Sequence, residues 1–141
     1  MIIKGIHQSG MGGANRSIRK QKKAFSRRGL LLDEFFHGTI NLNTSPKQYE
    51  VIKYDVMFQD VRYWSFPRFR KEDFGFIRVR LLKHRDVLYP DWGYVYFAHK
   101  SPHFTNHSVF ELLGPELPGF EKSDAIEIEI GEGLMRCYPS F

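Results

Sequence analysis

Gly10, Gly12 and Gly13 fall within four positions of one another in the segment Gln8-Ser9-Gly10-Met11-Gly12-Gly13-Ala14. Backbone this free of side chains can turn its N–H groups toward an anion, and a helix starting just behind it adds its positive end. The segment Asn15 to Arg28 has the composition of such a helix. Gly10, Met11, Gly12, Gly13 and Ala14 are therefore the candidate phosphate-binding residues. The loop is neither of two familiar types. It lacks the Gly-Lys-Ser/Thr of a Walker loop. A dinucleotide loop would place its third glycine at position 15, where Asn15 stands, and Asp33 precedes the next strand instead of ending it. Further along, Thr39 and Asn41 are two apart, so on a strand they share a face. Two neutral oxygens can help to hold a hard cation such as Mg²⁺ if phosphates supply the charge. His99, His103 and His107 have the spacing of a helical metal stripe, but Pro102 interrupts it. Ser101 and Glu111 cannot be ordered with a histidine into a Ser-His-Asp set by spacing.

The elements that must position these residues are mostly strands. Residues 1–7 read as a first strand. An amphipathic helix over Asn15 to Arg28 places Ile18, Ala24 and Phe25 near one face, with Asn15 as N-cap and Gly29 as terminator. Strands are predicted from Gly38 to Asn43, Tyr49 to Phe58, Gly75 to Leu82, Gly93 to Ala98 and Ala125 to Ile130. A short helix is predicted over Asn106 to Leu113, ended by Gly114-Pro115. Thirteen Phe and seven Tyr suit strands around a well-filled interior. Many short strands separated by turn signals fit a barrel better than a parallel sheet. With 141 residues, no repeat and no linker-like stretch, the chain reads as a single domain over 1–141.

The charge is divided unevenly. Residues 1–32 hold eight basic residues and no acid, leaving 13 basic and 16 acidic residues for the rest of the chain. A basic segment on a mildly acidic body can bind phosphate groups, nucleic acid or anionic lipid. Tyr63, Trp64, Phe66, Arg68, Phe69 and Arg70 form an aromatic–basic cluster that could stack on bases. The lone Cys137 cannot form an internal disulfide. The start, Met-Ile-Ile-Lys-Gly, opens no long apolar run, so the expectation is a cytoplasmic protein with no membrane segment.

In order and content these pieces resemble the archaeal CTP-dependent riboflavin kinase family. Its Ser-Gly-x-Gly-x-Gly loop has its counterpart in Ser9 to Ala14, and its Gly-Thr-Leu-Asn-Leu in Gly38-Thr39-Ile40-Asn41-Leu42. Its Thr-x-His segment, its Glu shortly before a Pro and its Gly-Asp-x-Ile-x-Ile strand match Ser101-Pro102-His103, Glu111 with Pro115, and Ser123 to Ile128. The resemblance implies a mainly β fold, a small six-stranded cradle-loop-type β-barrel with peripheral helices. It implies transfer of a phosphoryl group from CTP to riboflavin, giving FMN. Gly10 to Ala14 would hold the nucleotide, Thr39 and Asn41 a Mg²⁺ ion, and Ser101 and Glu111 the flavin. The departures are Ala14 for the third loop glycine, Ser101 for a threonine, and Glu116-Leu117-Pro118-Gly119 where the family has basic residues. A non-catalytic flavin or nucleotide binder and a nucleic-acid-binding barrel are the alternatives.

Overall fold

The computed structural model describes residues 1–8, 21–30, 40–62, 71–83, 86–98, 108–114 and 125–138. Among the described residues nine strands carry the fold: β1 (Ile2–Gln8), β2 (Ile40–Asn43), β3 (Gln48–Val51), β4 (Val56–Arg62), β5 (Lys71–Lys83), β6 (Asp86–Ala98), β7 (Val109–Leu113), β8 (Ala125–Glu129) and β9 (Met135–Tyr138). Seven form one antiparallel sheet in the order β4-β5-β6-β7-β2-β1-β8. The far end of β5 turns back to β8 through the pairs Arg80 with Glu129, Leu81 with Ile128 and Leu82 with Glu127. That pairing closes the sheet partly into a ring, because the long β5 meets β4 with its first half and β8 with its second.

Strand alternation explains the interior. Ile3, Ile40, Leu42, Ile77, Val79, Leu81, Val95, Phe97, Phe110, Leu112, Ile126 and Ile128 occupy every second position of their strands and form one buried cluster inside the ring. A separate pair, β3 with β9, lies at the end where β2 and β8 finish, and Tyr49 and Met135 join the interior cluster there. The stretch between β3 and β4 crosses the same end. Tyr54 lies so close over Gly75 that a Cβ on that glycine would come within 2.4 Å of the ring, and it meets Phe97 edge-on. The single strand expected from Tyr49 to Phe58 is therefore two strands, broken where the chain passes over the ring.

The opposite face of β5 and β6 is covered from outside. The helical segment 21–26 lays Phe25, fully buried, among Phe58, Phe74, Phe76 and Tyr96. It ends in a Schellman motif. The Leu30 N–H donates to Phe25 O, the Gly29 N–H donates to Ser26 O, and Gly29 has φ 95°. Arg28 then pins the helix end to a bulge in β4, donating to the carbonyls of Gln59 at 2.6 Å and Asp60 at 3.2 Å. The expected helix and its glycine stop are thus present over the residues described, and 15–20 lie outside them. The helix expected over Asn106 to Leu113 is a correction: Val109–Leu113 is strand β7. Its partners decide the matter, since β2 pairs along one edge and β6 along the other. Among the described residues no helix is long and apolar enough to cross a membrane.

Candidate functional site

The outer face of the ring carries one line of polar residues across four neighbouring strands. Gln8 of β1 is in register with Asn41 of β2, Asn41 with Glu111 of β7, and Glu111 with Tyr96 of β6. Three of them sit between inward-facing neighbours, and Gln8 shares their face by its register with Asn41: Ile40 and Leu42 flank Asn41, Phe110 and Leu112 flank Glu111, Val95 and Phe97 flank Tyr96. Alternation therefore turns all of these polar side chains outward. Directly opposed residues on adjacent strands stand about 5 Å apart, so Asn41 and Tyr96 flank Glu111 at neighbouring distance on one surface.

The helical segment closes over one end of this line. The Tyr96 hydroxyl donates to Gln21 Oε1, and both residues are buried. Lys22, next in the helix, is also buried, at 6% exposure. A lysine takes that position only when its charge is met, and Lys22 has an electrostatic or hydrogen-bonding partner there. At the other end Gln8 Oε1 accepts a hydrogen bond from Asn43 Nδ2 at 3.0 Å, which fixes the last residue of β1 against β2.

Asn41 is the anomaly of the line. It is 1% exposed, and its Oδ1 is buried with no hydrogen-bond partner among the described residues. Buried amide oxygens are nearly always paired, and leaving one unmade costs about 1–3 kcal/mol. A buried amide oxygen in register with a carboxylate offers oxygen ligands of the kind a hard cation or a ligand N–H takes. The site is thus an oxygen-rich line closed at its Tyr96 end by Gln21 of the helical segment.

Of the residues singled out from sequence, the structure brings Asn41 and Glu111 together, 70 positions apart in the chain and adjacent in space. Thr39, the loop Gly10 to Ala14 and Ser101 lie outside the described residues, as do the three-histidine stripe and the aromatic–basic cluster of 63–70. Among the described residues no group of three or more His, Cys, Asp or Glu is placed to hold a metal. Sequence reasoning missed Gln8, Gln21 and Tyr96 and counted Lys22 merely as part of a basic helix. Tyr96 carried a usable signal, the alternation of Tyr94-Val95-Tyr96-Phe97, whose tyrosines must share a face. The basic helix is also less open than its composition suggests. Lys22 is buried and Arg28 is engaged with β4, while Lys23 and Arg27 face solvent. No protein-family model matches this sequence, and a search of the curated proteins finds no significant match.

Proposed function

We propose that the protein is a phosphotransferase of the riboflavin kinase type, moving the γ-phosphoryl group of CTP to the 5′-hydroxyl of riboflavin to give FMN. The observation that carries this reading is the register of Asn41 with Glu111, with the Asn41 amide oxygen buried and unsatisfied. These two residues came separately from two motifs of the resemblance, one assigned to metal and one to flavin. The antiparallel sheet that closes partly into a ring is compatible with a six-stranded cradle-loop barrel.

Asn41 Oδ1, joined in this reading by Thr39, would hold Mg²⁺, since a buried oxygen unpaired among the described residues would gain a partner there. When bound, Mg²⁺ neutralises charge on the transferring phosphoryl group. The chain itself supplies positioning, which is most of what such a reaction needs. Amides of Gly10 to Ala14 hold the nucleotide phosphates in this reading. Glu111, beside Asn41, orients the flavin, and Ser101 adds a hydroxyl contact. The chain leaves β1 at Gln8, in register with Asn41, so the glycine-rich segment starts from the line itself.

The test uses purified protein with riboflavin, Mg²⁺ and either CTP or ATP, with products separated by chromatography. FMN with CTP is the expected outcome. Flavin or nucleotide binding without turnover would leave a non-catalytic binder. No FMN with any nucleoside triphosphate, joined to oligonucleotide binding that weakens steeply with salt, would replace the proposal with a nucleic-acid-binding function.

A further inference from the structure

A second site lies on the far side of the ring, where β5 passes from β4 to β8. The two registers fix its position. Val56 pairs with Phe76 and Arg80 pairs with Glu129. Continued two residues each, β4 would set Tyr54 against Arg78, and β8 would set Gly131 there. Neither strand continues. Tyr54 turns away to pack on Gly75, and Gly131 brings no side chain. A cavity of about 290 Å³ fills the gap, and the Asp55 carboxylate stands in for the missing strand. Its Oδ2 accepts the Arg78 N–H at 2.8 Å.

The charges of this seam are balanced but not all satisfied. Arg80 Nη1 is 3.0 Å from Glu129 Oε1, so that pair is matched within the protein. The Arg78 guanidinium has no carboxylate within salt-bridge distance among the described residues, and one oxygen of Asp55 remains beside the gap. The cavity therefore offers one unmatched cation and one available carboxylate oxygen. Half-buried Leu134 supplies its apolar wall, while Val79 and Ile130 border it with side chains buried in the ring interior. A simple anion would meet Asp55, and a simple cation would meet Arg78. A ligand carrying both charges on neighbouring atoms, with an aliphatic group behind them, matches all three surfaces. The volume suits a molecule of that size, at the small end of ligand pockets.

We propose that this seam binds a small zwitterion of the α-amino-acid type. Its carboxylate meets Arg78, its ammonium meets Asp55, and its aliphatic side chain lies against Leu134. The site is independent of the phosphotransferase reading, since it shares none of the residues of the Asn41–Glu111 line.

The experiment is an amide-resolved NMR titration of the intact protein with L-leucine, leucinamide and N-acetyl-leucine. Leucine is expected to shift the amides of Arg78, Arg80 and Gly131. The two blocked forms, each lacking one charge, should bind about tenfold more weakly or worse, as the loss of a charged hydrogen bond implies. Arg78→Gln and Asp55→Asn should each weaken leucine binding by a similar factor. The asparagine keeps an oxygen for the Arg78 amide, and the blocked ligands test the wild-type protein if either variant is unstable. No seam shifts with leucine, N-acetyl-leucine binding as well as leucine, or variants that leave the affinity unchanged would each overturn the proposal.

Discussion

At the scale of single residues, Asn41 sets stability against its proposed role. An unpaired buried amide oxygen weakens the fold, and an apolar side chain of similar size removes the penalty. Asn41→Leu is expected to raise stability by about 1 kcal/mol in urea denaturation. The same variant should lose Mg²⁺-dependent FMN formation while still binding riboflavin. A variant that is less stable and fully active would show that the amide serves packing alone. Two tyrosines make the second residue-level case. Burial pushes the Tyr49 phenol above its ordinary value near 10, with the neighbouring Cys137 adding to the rise, and burial does the same for Tyr54. A folded state that holds these protons more tightly than the unfolded chain is favoured below the ordinary phenol pKa. That contribution is lost as pH climbs from about 10 through the raised folded values. Urea midpoints should therefore be insensitive to these groups at pH 8 to 9 and fall above about pH 10. The Tyr49→Phe, Tyr54→Phe double variant should flatten that part of the profile.

At the scale of elements, the helical segment 21–26 is held by one side chain more than by any other. Phe25 is fully buried, and rings of Phe58, Phe74, Phe76 and Tyr96 surround it with centroids 5.0 to 6.4 Å away. Phe25→Ala is expected to cost about 3–5 kcal/mol, the range for a buried aromatic truncated in a packed core. Because Gln21, which bonds Tyr96 of the polar line, rides on the same segment, the proposed phosphotransfer should fall with it even below the denaturation midpoint. Circular dichroism would follow stability, and FMN production at low temperature would follow the site. Full activity in a protein that has lost this much stability would separate the helix from the site.

At the scale of the whole molecule, ring closure rests on three residue pairs between β5 and β8. The outer pair, Arg80 with Glu129, is half exposed on one side and a third exposed on the other, so it contributes less than about 1 kcal/mol. The inner pair, Leu81 with Ile128, is fully buried. Ile128→Ala should cost about 2–5 kcal/mol, and Arg80→Ala should change stability by less than about 1 kcal/mol. Equal effects in chemical denaturation would mean that the seam is held from outside by charge.

Local signals settled much of this architecture without any structure. The Ile126, Ile128, Ile130 alternation, the Phe25 face of the helix and the Gly29 stop depend on near neighbours, and each appears as expected. The alternation about Asn41 also placed that residue on a strand, as Ile40–Asn43 shows. What sequence could not decide is pairing between distant segments. Val109–Leu113 suits helix or strand by composition, and its two strand partners make it a strand. Tyr49 to Phe58 reads as one strand, yet Tyr54 is needed to cover Gly75, so the chain breaks there. Likewise the meeting of Asn41 with Glu111, and the gap that leaves Arg78 beside Asp55, follow from register across strands far apart in the chain. A one-residue slip would turn either set to the opposite face, and the buried interior of the ring forbids that slip.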